Sequence, residues 1–134
     1  MLTGGCQCGA VRHAVAAVPS RVHVCHCTEC RAQSSLAFGI SGIVPPAAVR
    51  LTRGTPRVRS RRTVSGKVLA FAFCTDCGSR GWHRNDPDGP EMLIKGGSLD
   101  DPVDLTGASC IWTRSKLPGV VRPPGVKQFP QDYD

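Results

Sequence analysis

Short apolar runs broken by Gly, Pro and polar turns make strand the leading expectation along this chain. Residues 10–18 (AVRHAVAAV) alternate so that Val11, His13 and Val15 share one face of a strand. Arg21 to Val24 predicts a second short strand running directly into CHCTEC, and Thr28 to Ser34 predicts one or two helical turns. LAFGISGIV (36–44) is β-rich and is stopped by Pro45-Pro46. Val49 to Thr63 reads as two short strands around the turn Arg53-Gly54-Thr55-Pro56, an exposed hairpin with outward arginines. Ser65-Gly66 turns the chain into VLAFAF (68–73), expected as a buried strand. Met92 to Lys95 and Cys110 to Thr113 supply two more strands, and the Pro and Gly after Leu117 predict an extended tail lying over the body. The sum is an antiparallel β fold with little helix.

Composition narrows this picture. At 134 residues the chain is expected to form one domain, 1–134. Aromatic residues are only 5% of it, while 15 Gly and 11 Pro fill turns, so a covalent or metal staple would help a modest core. The N-terminus, MLTGGCQCGAVRHAV, lacks the basic region and apolar run of a signal peptide. No apolar stretch approaches the roughly 18 residues of a membrane span. A reducing, cytoplasmic location is therefore expected, and disulfides are rare there.

Within that setting the eight cysteines carry the chemistry. Cys6-Gln7-Cys8-Gly9 and Cys74-Thr75-Asp76-Cys77-Gly78 offer four thiolates, the number a tetrahedral structural zinc takes. A Gly after each pair suits the turn, because Gly enters φ > 0 without penalty. The competing reading is disulfides, but cysteines one residue apart are poorly placed to bond each other. Cys25-His26-Cys27-Thr28-Glu29-Cys30 offers three thiols and leaves a fourth position, the form of many catalytic zinc sites. A closed site completed by His23, His26, Cys110 or a distant residue is the alternative. With three thiolates the zinc is a poor Lewis acid, so thiol chemistry suits the site: a thiol bound as fourth ligand loses its proton.

The sequence resembles the glutathione-dependent formaldehyde-activating enzyme family, which also contains the centromere protein V group. The matching pieces are GGCQCGAVRHAV, CHCTECRAQSSLAFG, FCTDCGSRGWH, IKGGSLDD and IWTRSKLP, in family order over about residues 3–118. The resemblance implies an antiparallel β-tent, similar to the Mss4-like fold and stapled by zinc. It implies a structural zinc on Cys6, Cys8, Cys74 and Cys77, and a second zinc with the thiol chemistry on Cys25, Cys27 and Cys30. The activity it implies is a zinc-dependent carbon–sulfur lyase reaction on thiol–aldehyde adducts, with glutathione as the small-molecule partner and S-(hydroxymethyl)glutathione formed from formaldehyde. Three positions depart from common family choices: Ser35 and Cys110 stand where relatives often carry Gly and His, and Gly119 where many carry an aromatic.

The remaining residues are weighed individually. His83 beside Trp82 is expected at a strand edge without a special role, His26 is expected to face away from the metal, and Glu29 to be solvated. Phe38 and Trp112 read as core or pocket lining, and Cys110 as a small buried hydrophobe. The formal charge of +7 falls to +4 once four thiolates share one divalent ion and three share another. What stays unusual is Arg50, Arg53, Arg57, Arg59, Arg61, Arg62 and Lys67 in one stretch without an acidic residue. That stretch can attract an anionic thiol. The alternative function is a non-catalytic zinc module that binds nucleic acid or a protein partner through Arg50–Lys67, although no aromatic residue interleaves the arginines to form a stacking platform.

Overall fold

Strand alternation and tight Gly turns produce two β-sheets in the computed structural model, which describes residues 1–133. The strands are β1 (Leu2–Gly5), β2 (Arg12–Val15), β3 (Arg21–Cys25), β4 (Gly39–Val44), β5 (Val49–Arg53), β6 (Arg57–Arg62), β7 (Val68–Phe73), β8 (Arg80–Arg84), β9 (Met92–Lys95) and β10 (Ser109–Ile111). One α-helix, α1 (Thr28–Ser34), and three 3-10 turns complete the described residues. The small sheet runs β1-β2-β5 and the large sheet β10-β3-β4-β9-β8-β7-β6. No helix among the described residues is long and apolar enough to cross a membrane.

The main core lies between the sheets. Gly42, Ile94 and Trp82 are register partners across β4, β9 and β8, and Val44 pairs with Met92, so these side chains point one way. They meet Val15, with Leu2, Val49 and Leu99 packed around. His13 of the small sheet contacts Trp82 of the large one edge-on at 5.9 Å. A second cluster of Val24, Ala108 and Cys110, with Val22, Phe38, Leu105 and Val126, packs at the β3–β10 end.

The opposite face of the large sheet carries His23 and Cys25 on β3, Ser41 on β4, Lys95 on β9 and His83 on β8, as the registers His23–Ser41–Lys95 and His83–Leu93 require. The segment IKGGSLDD builds the adjoining corner. A Cβ at Gly96 would overlap Ile40, and a Cβ at Gly4 would overlap the Ser98 carbonyl. Arg12 grips Asp100 with both guanidinium nitrogens, and the Thr3 hydroxyl donates to the same carboxylate at 2.7 Å.

Four expectations need correction. β5 and β6 form no hairpin: β5 pairs with β2 and β6 with β7. At Gly54 (φ +68°) a side chain would overlap the Ala10 carbonyl, so the chain passes tightly over the residues before β2 as it leaves one sheet for the other. β10 lies parallel to β3, the exception among the pairings of the ten named strands. In VLAFAF only Leu69 and Ala72 are buried, while Phe71 and Phe73, which pack beside each other, stay partly exposed. The strand at 110–113 is shorter, since Trp112 takes φ 57° and turns the chain.

The other elements match closely, including α1 at Thr28–Ser34, the Gly66 turn between β6 and β7, and the tail, where Cys110 and Phe129 exchange backbone contacts with 127–129 and 110. α1 ends on Ser35 in the left-handed region, φ 55° and ψ 27°. That conformation costs an L-residue about 1–2 kcal/mol, and Gly avoids most of it. Ser35 is exposed and its side chain makes no hydrogen bond with another described residue. Ser35→Gly should therefore raise the free energy of unfolding by about 1 kcal/mol and the melting temperature by roughly 4 °C in a thermal melt. An unchanged or lower melting temperature contradicts the strain assigned to this cap.

Candidate metal centres

Two turns from different sheets bring the first thiols together. Cys6 and Cys8 follow β1 of the small sheet, while Cys74 and Cys77 lie between β7 and β8 of the large one. Gly9 (φ +80°) and Gly78 (φ +79°) close the turns, and their amides bond back to the carbonyls of Cys6 and Cys74 at 3.1 and 2.8 Å. The four sulfurs lie within 4.8 Å of one another. Cys6 and Cys8 are 3.6 Å apart and Cys8 and Cys74 3.8 Å, with all eight cysteines free. A tetrahedron with Zn–S of about 2.3 Å has an edge of about 3.8 Å, so the spacing is that of a tetrathiolate zinc site. Ser79 joins the two turns: its hydroxyl accepts from the Gln7 amide at 3.0 Å and sits 3.2 Å from the Cys77 sulfur.

The second cluster is built by the end of β3 and the start of α1. Cys25 is the buried last residue of β3, Cys27 is the N-cap of α1, and Cys30 lies one turn in. The Cys27 sulfur accepts from the Cys30 amide at 3.2 Å, the role Ser or Asp plays in an ordinary cap. Gly39, the register partner of Cys25, lets α1 settle on β4: the Cys30 Cβ stands 3.2 Å from where a Gly39 side chain would begin. The three sulfurs lie within 4.8 Å of one another, and no fourth His, Cys, Asp or Glu among the described residues joins them. His23, His26 and Cys110 do not close the site.

Thiol crowding couples the ionisation of the sulfurs in both clusters. Hydrogen bonds from the Cys25 and Cys30 thiols draw Cys27 down to about 2, and the same contacts with Cys27 and Cys30, aided by burial, push Cys25 well up. In the first cluster the Ser79 hydroxyl, then the Ser79 and Cys8 amides, hold Cys77 down at about 5. The Ala10 amide favours the Cys8 thiolate, yet Cys6, burial, Cys77 and Cys74 together push it up to about 12. One ionised sulfur thus suppresses ionisation of its neighbours, and a divalent ion at the centre reverses that coupling. The donor sets fit zinc, soft thiolates in groups of four and three.

Other singled-out residues fall as follows. His26 points away from the thiols and packs edge-on against Phe38 at 5.7 Å, with neither ring nitrogen hydrogen-bonded. Cys110 is fully buried in the second core cluster and accepts from Arg122 Nε at 3.3 Å. Glu29 is half-exposed and lies 3.8 Å from Arg61. Trp112 lies under the Arg114 guanidinium, 5.0 Å from the ring centroid. His83 departs from expectation: it is buried on the same sheet face as Cys25. Ser79, Arg80 and Lys95 were not singled out from the sequence. Ser79 and Arg80 stand next to a cysteine motif, and Lys95 opens KGGSLDD, but only strand register reveals their neighbours.

A two-sheet β domain with one tetrathiolate and one trithiolate cluster is the class that fold and sites define. The family model described as glutathione-dependent formaldehyde-activating enzyme matches residues 1–115. The chain belongs to that family. A crystal structure of a Rhodobacter sphaeroides protein, a structural genomics target, is similar with TM-score 0.55 and 21% identity over 95% of this chain and 98% of that one. At that identity the likeness is one of fold.

The clusters predict different responses to mutation. Cys8→Ser should lower zinc content by one equivalent and unfold the protein, since apparent zinc-binding free energies of about 10 kcal/mol rival a whole domain's stability. Cys27→Ser should also lose one equivalent but keep its β circular-dichroism spectrum. Metal analysis with circular dichroism checks both; a folded, two-zinc Cys8→Ser protein contradicts the assignment.

Proposed function

We propose that this protein adds a small thiol across an aldehyde carbonyl, glutathione and formaldehyde giving S-(hydroxymethyl)glutathione, and also runs the reverse carbon–sulfur cleavage. The observation that carries this reading is the trithiolate set without a fourth protein donor among the described residues, in a member of a family described by glutathione-dependent formaldehyde activation. Cys6, Cys8, Cys74 and Cys77 would hold a structural Zn²⁺, and Cys25, Cys27 and Cys30 a second one. Bound there, zinc supplies a coordination position at which a thiol gives up its proton near neutral pH.

The reaction exchanges an S–H bond and a carbonyl π bond for a C–S and an O–H bond, so no oxidant or reductant is needed. The chain's own part is positioning. Cys25 is fixed by β-sheet pairing to Gly39, and Cys27 by the Cys30 amide, so the sulfurs keep their places while a fourth partner exchanges. Cys25 shares its sheet face with Ser41, Lys95 and His83, while His26 turns towards Phe38, so those three are the polar side chains on the thiol side of the sheet.

The same reading takes residues 1–134 as one domain in a reducing, cytoplasmic setting, where ligating thiols stay reduced. Its support is the tail pairing to β10 and the absence of any bonded cysteine pair among the described residues. The nucleic-acid reading has less support: Arg50 and Arg53 belong to the small sheet while Arg57 to Arg62 form the edge of the large one, so the basic stretch is no single ribbon.

Exchange between ¹³C-formaldehyde hydrate and its glutathione adduct, followed by NMR, tests the proposal. The zinc-loaded protein should accelerate exchange over buffer, and Cys27→Ser should lose at least about 100-fold of that acceleration. No acceleration by the wild-type protein would overturn it.

A further inference from the structure

Beside the trithiolate cluster, the large sheet holds cations without anionic partners. Lys95 ends β9 directly opposite Ser41, and Gly39, two residues before Ser41, lies beneath Cys30. Diagonal neighbours of this kind stand about 7–8 Å apart, within reach of a lysine side chain. Charge on Cys30, Cys25 and Cys27 favours the Lys95 ammonium, against the burial that mainly lowers its pKa.

Arg80 approaches from β8, its guanidinium stacked on the Phe71 ring at 3.9 Å. Its Nε and Nη2 are buried without a hydrogen-bond partner, and so is His83 Nδ1. Burial lowers His83 well below its ordinary value and His23 to about 4, so both rings are neutral at pH 7 and do not answer the need for an anion. The ion pairs among the described residues are Arg12–Asp100, Arg21–Glu91 and Arg61–Glu29; neither Lys95 nor Arg80 has one.

Charge counting then points to a ligand. Three thiolates and a divalent ion carry one net negative charge, which balances one of the two cations. Arg80 is half-buried and its Nε and Nη2 find no partner among the described residues, so an anion from outside is the group that would satisfy them. Its chemistry follows from Arg80: Nε and an adjacent Nη form the side-on fork that matches a carboxylate, whereas sulfur is a weak acceptor. That edge is shut off from solvent in the free protein, so a carboxylate reaches it only when the Arg80 side chain turns away from its place over Phe71.

We propose that Lys95 and Arg80 form a carboxylate subsite beside Cys25, Cys27 and Cys30 that orients the anionic thiol substrate; this rests on the thiol-addition reading above. Arg59 and Arg61 extend the same face along β6, in register with Phe71 and Leu69, and give an anion an approach path. Neutral thiols lack the group this subsite takes.

Calorimetric titration of the zinc-loaded protein with three probes tests it: glutathione, S-methylglutathione (carboxylates, no thiol) and glutathione diethyl ester (thiol, no carboxylate). S-methylglutathione should bind the wild-type protein and weaken at least about tenfold in Lys95→Met, with Lys95→Arg restoring most of the affinity and the exposed Arg50→Ala unchanged. Diester affinity should be the same in all four proteins. Arg80→Gln supplies the same comparison should Lys95→Met fail to fold. If S-methylglutathione does not bind, or binds Lys95→Met and wild type alike, the subsite is overturned, while diester binding leaves the thiol reading standing. Lys95-dependent binding of S-methylglutathione without any diester binding supports the subsite and removes the thiol reading.

Discussion

The structure depends on four sulfurs that belong to two different sheets. Cys6 and Cys8 leave the small sheet, Cys74 and Cys77 leave the large one, and their S–S separations of 3.6 and 3.8 Å are too long for disulfides and too short for a group of unscreened thiolates. A divalent cation shared by the four sulfurs would hold that geometry once they ionise. The interface it clamps is modest in size, four buried apolar residues with Leu2, Val49, Trp82 and Leu99 around them. A small core and a metal staple are therefore two aspects of one solution.

The trithiolate site inherits its rigidity from the same frame. β3 and β4 hold Cys25 against Gly39, and the missing side chain at Gly39 lets Cys30 come down on the sheet. Arg80 follows Ser79, whose hydroxyl links the tetrathiolate turns, so the clamp and the proposed carboxylate subsite are adjacent along the chain. On the proposed reading, structure-holding and chemistry are divided between the sites by the number of protein donors. Four donors leave no room for a substrate, and three leave one place.

Much of this was legible in the sequence, for identifiable reasons. Cysteine spacing is local, so CxC, CxxCG and CxCxxC revealed both clusters, and Gly9 and Gly78 take the positive φ expected after each pair. α1 and the turn at Gly66 are local as well. What sequence did not give was long-range pairing. The 53–56 turn looks like a hairpin, yet its strands join different sheets, and Gly54 passes close against the Ala10 carbonyl on the way. Lys95, Arg80 and His83 acquire meaning only through register, which places residues distant in sequence on one face. IKGGSLDD, visible as a motif, proved to be mainly a corner-building segment, with Lys95 the member that faces the thiols.

The central claim is that seven cysteines form two metal sites of unequal openness. Cadmium-113 NMR of the fully substituted protein tests it most directly. Two resonances of equal intensity are expected, one from four thiolates and unmoved by glutathione, the other from three thiolates and shifted on its addition. A single resonance, or two that both ignore glutathione, would contradict the account.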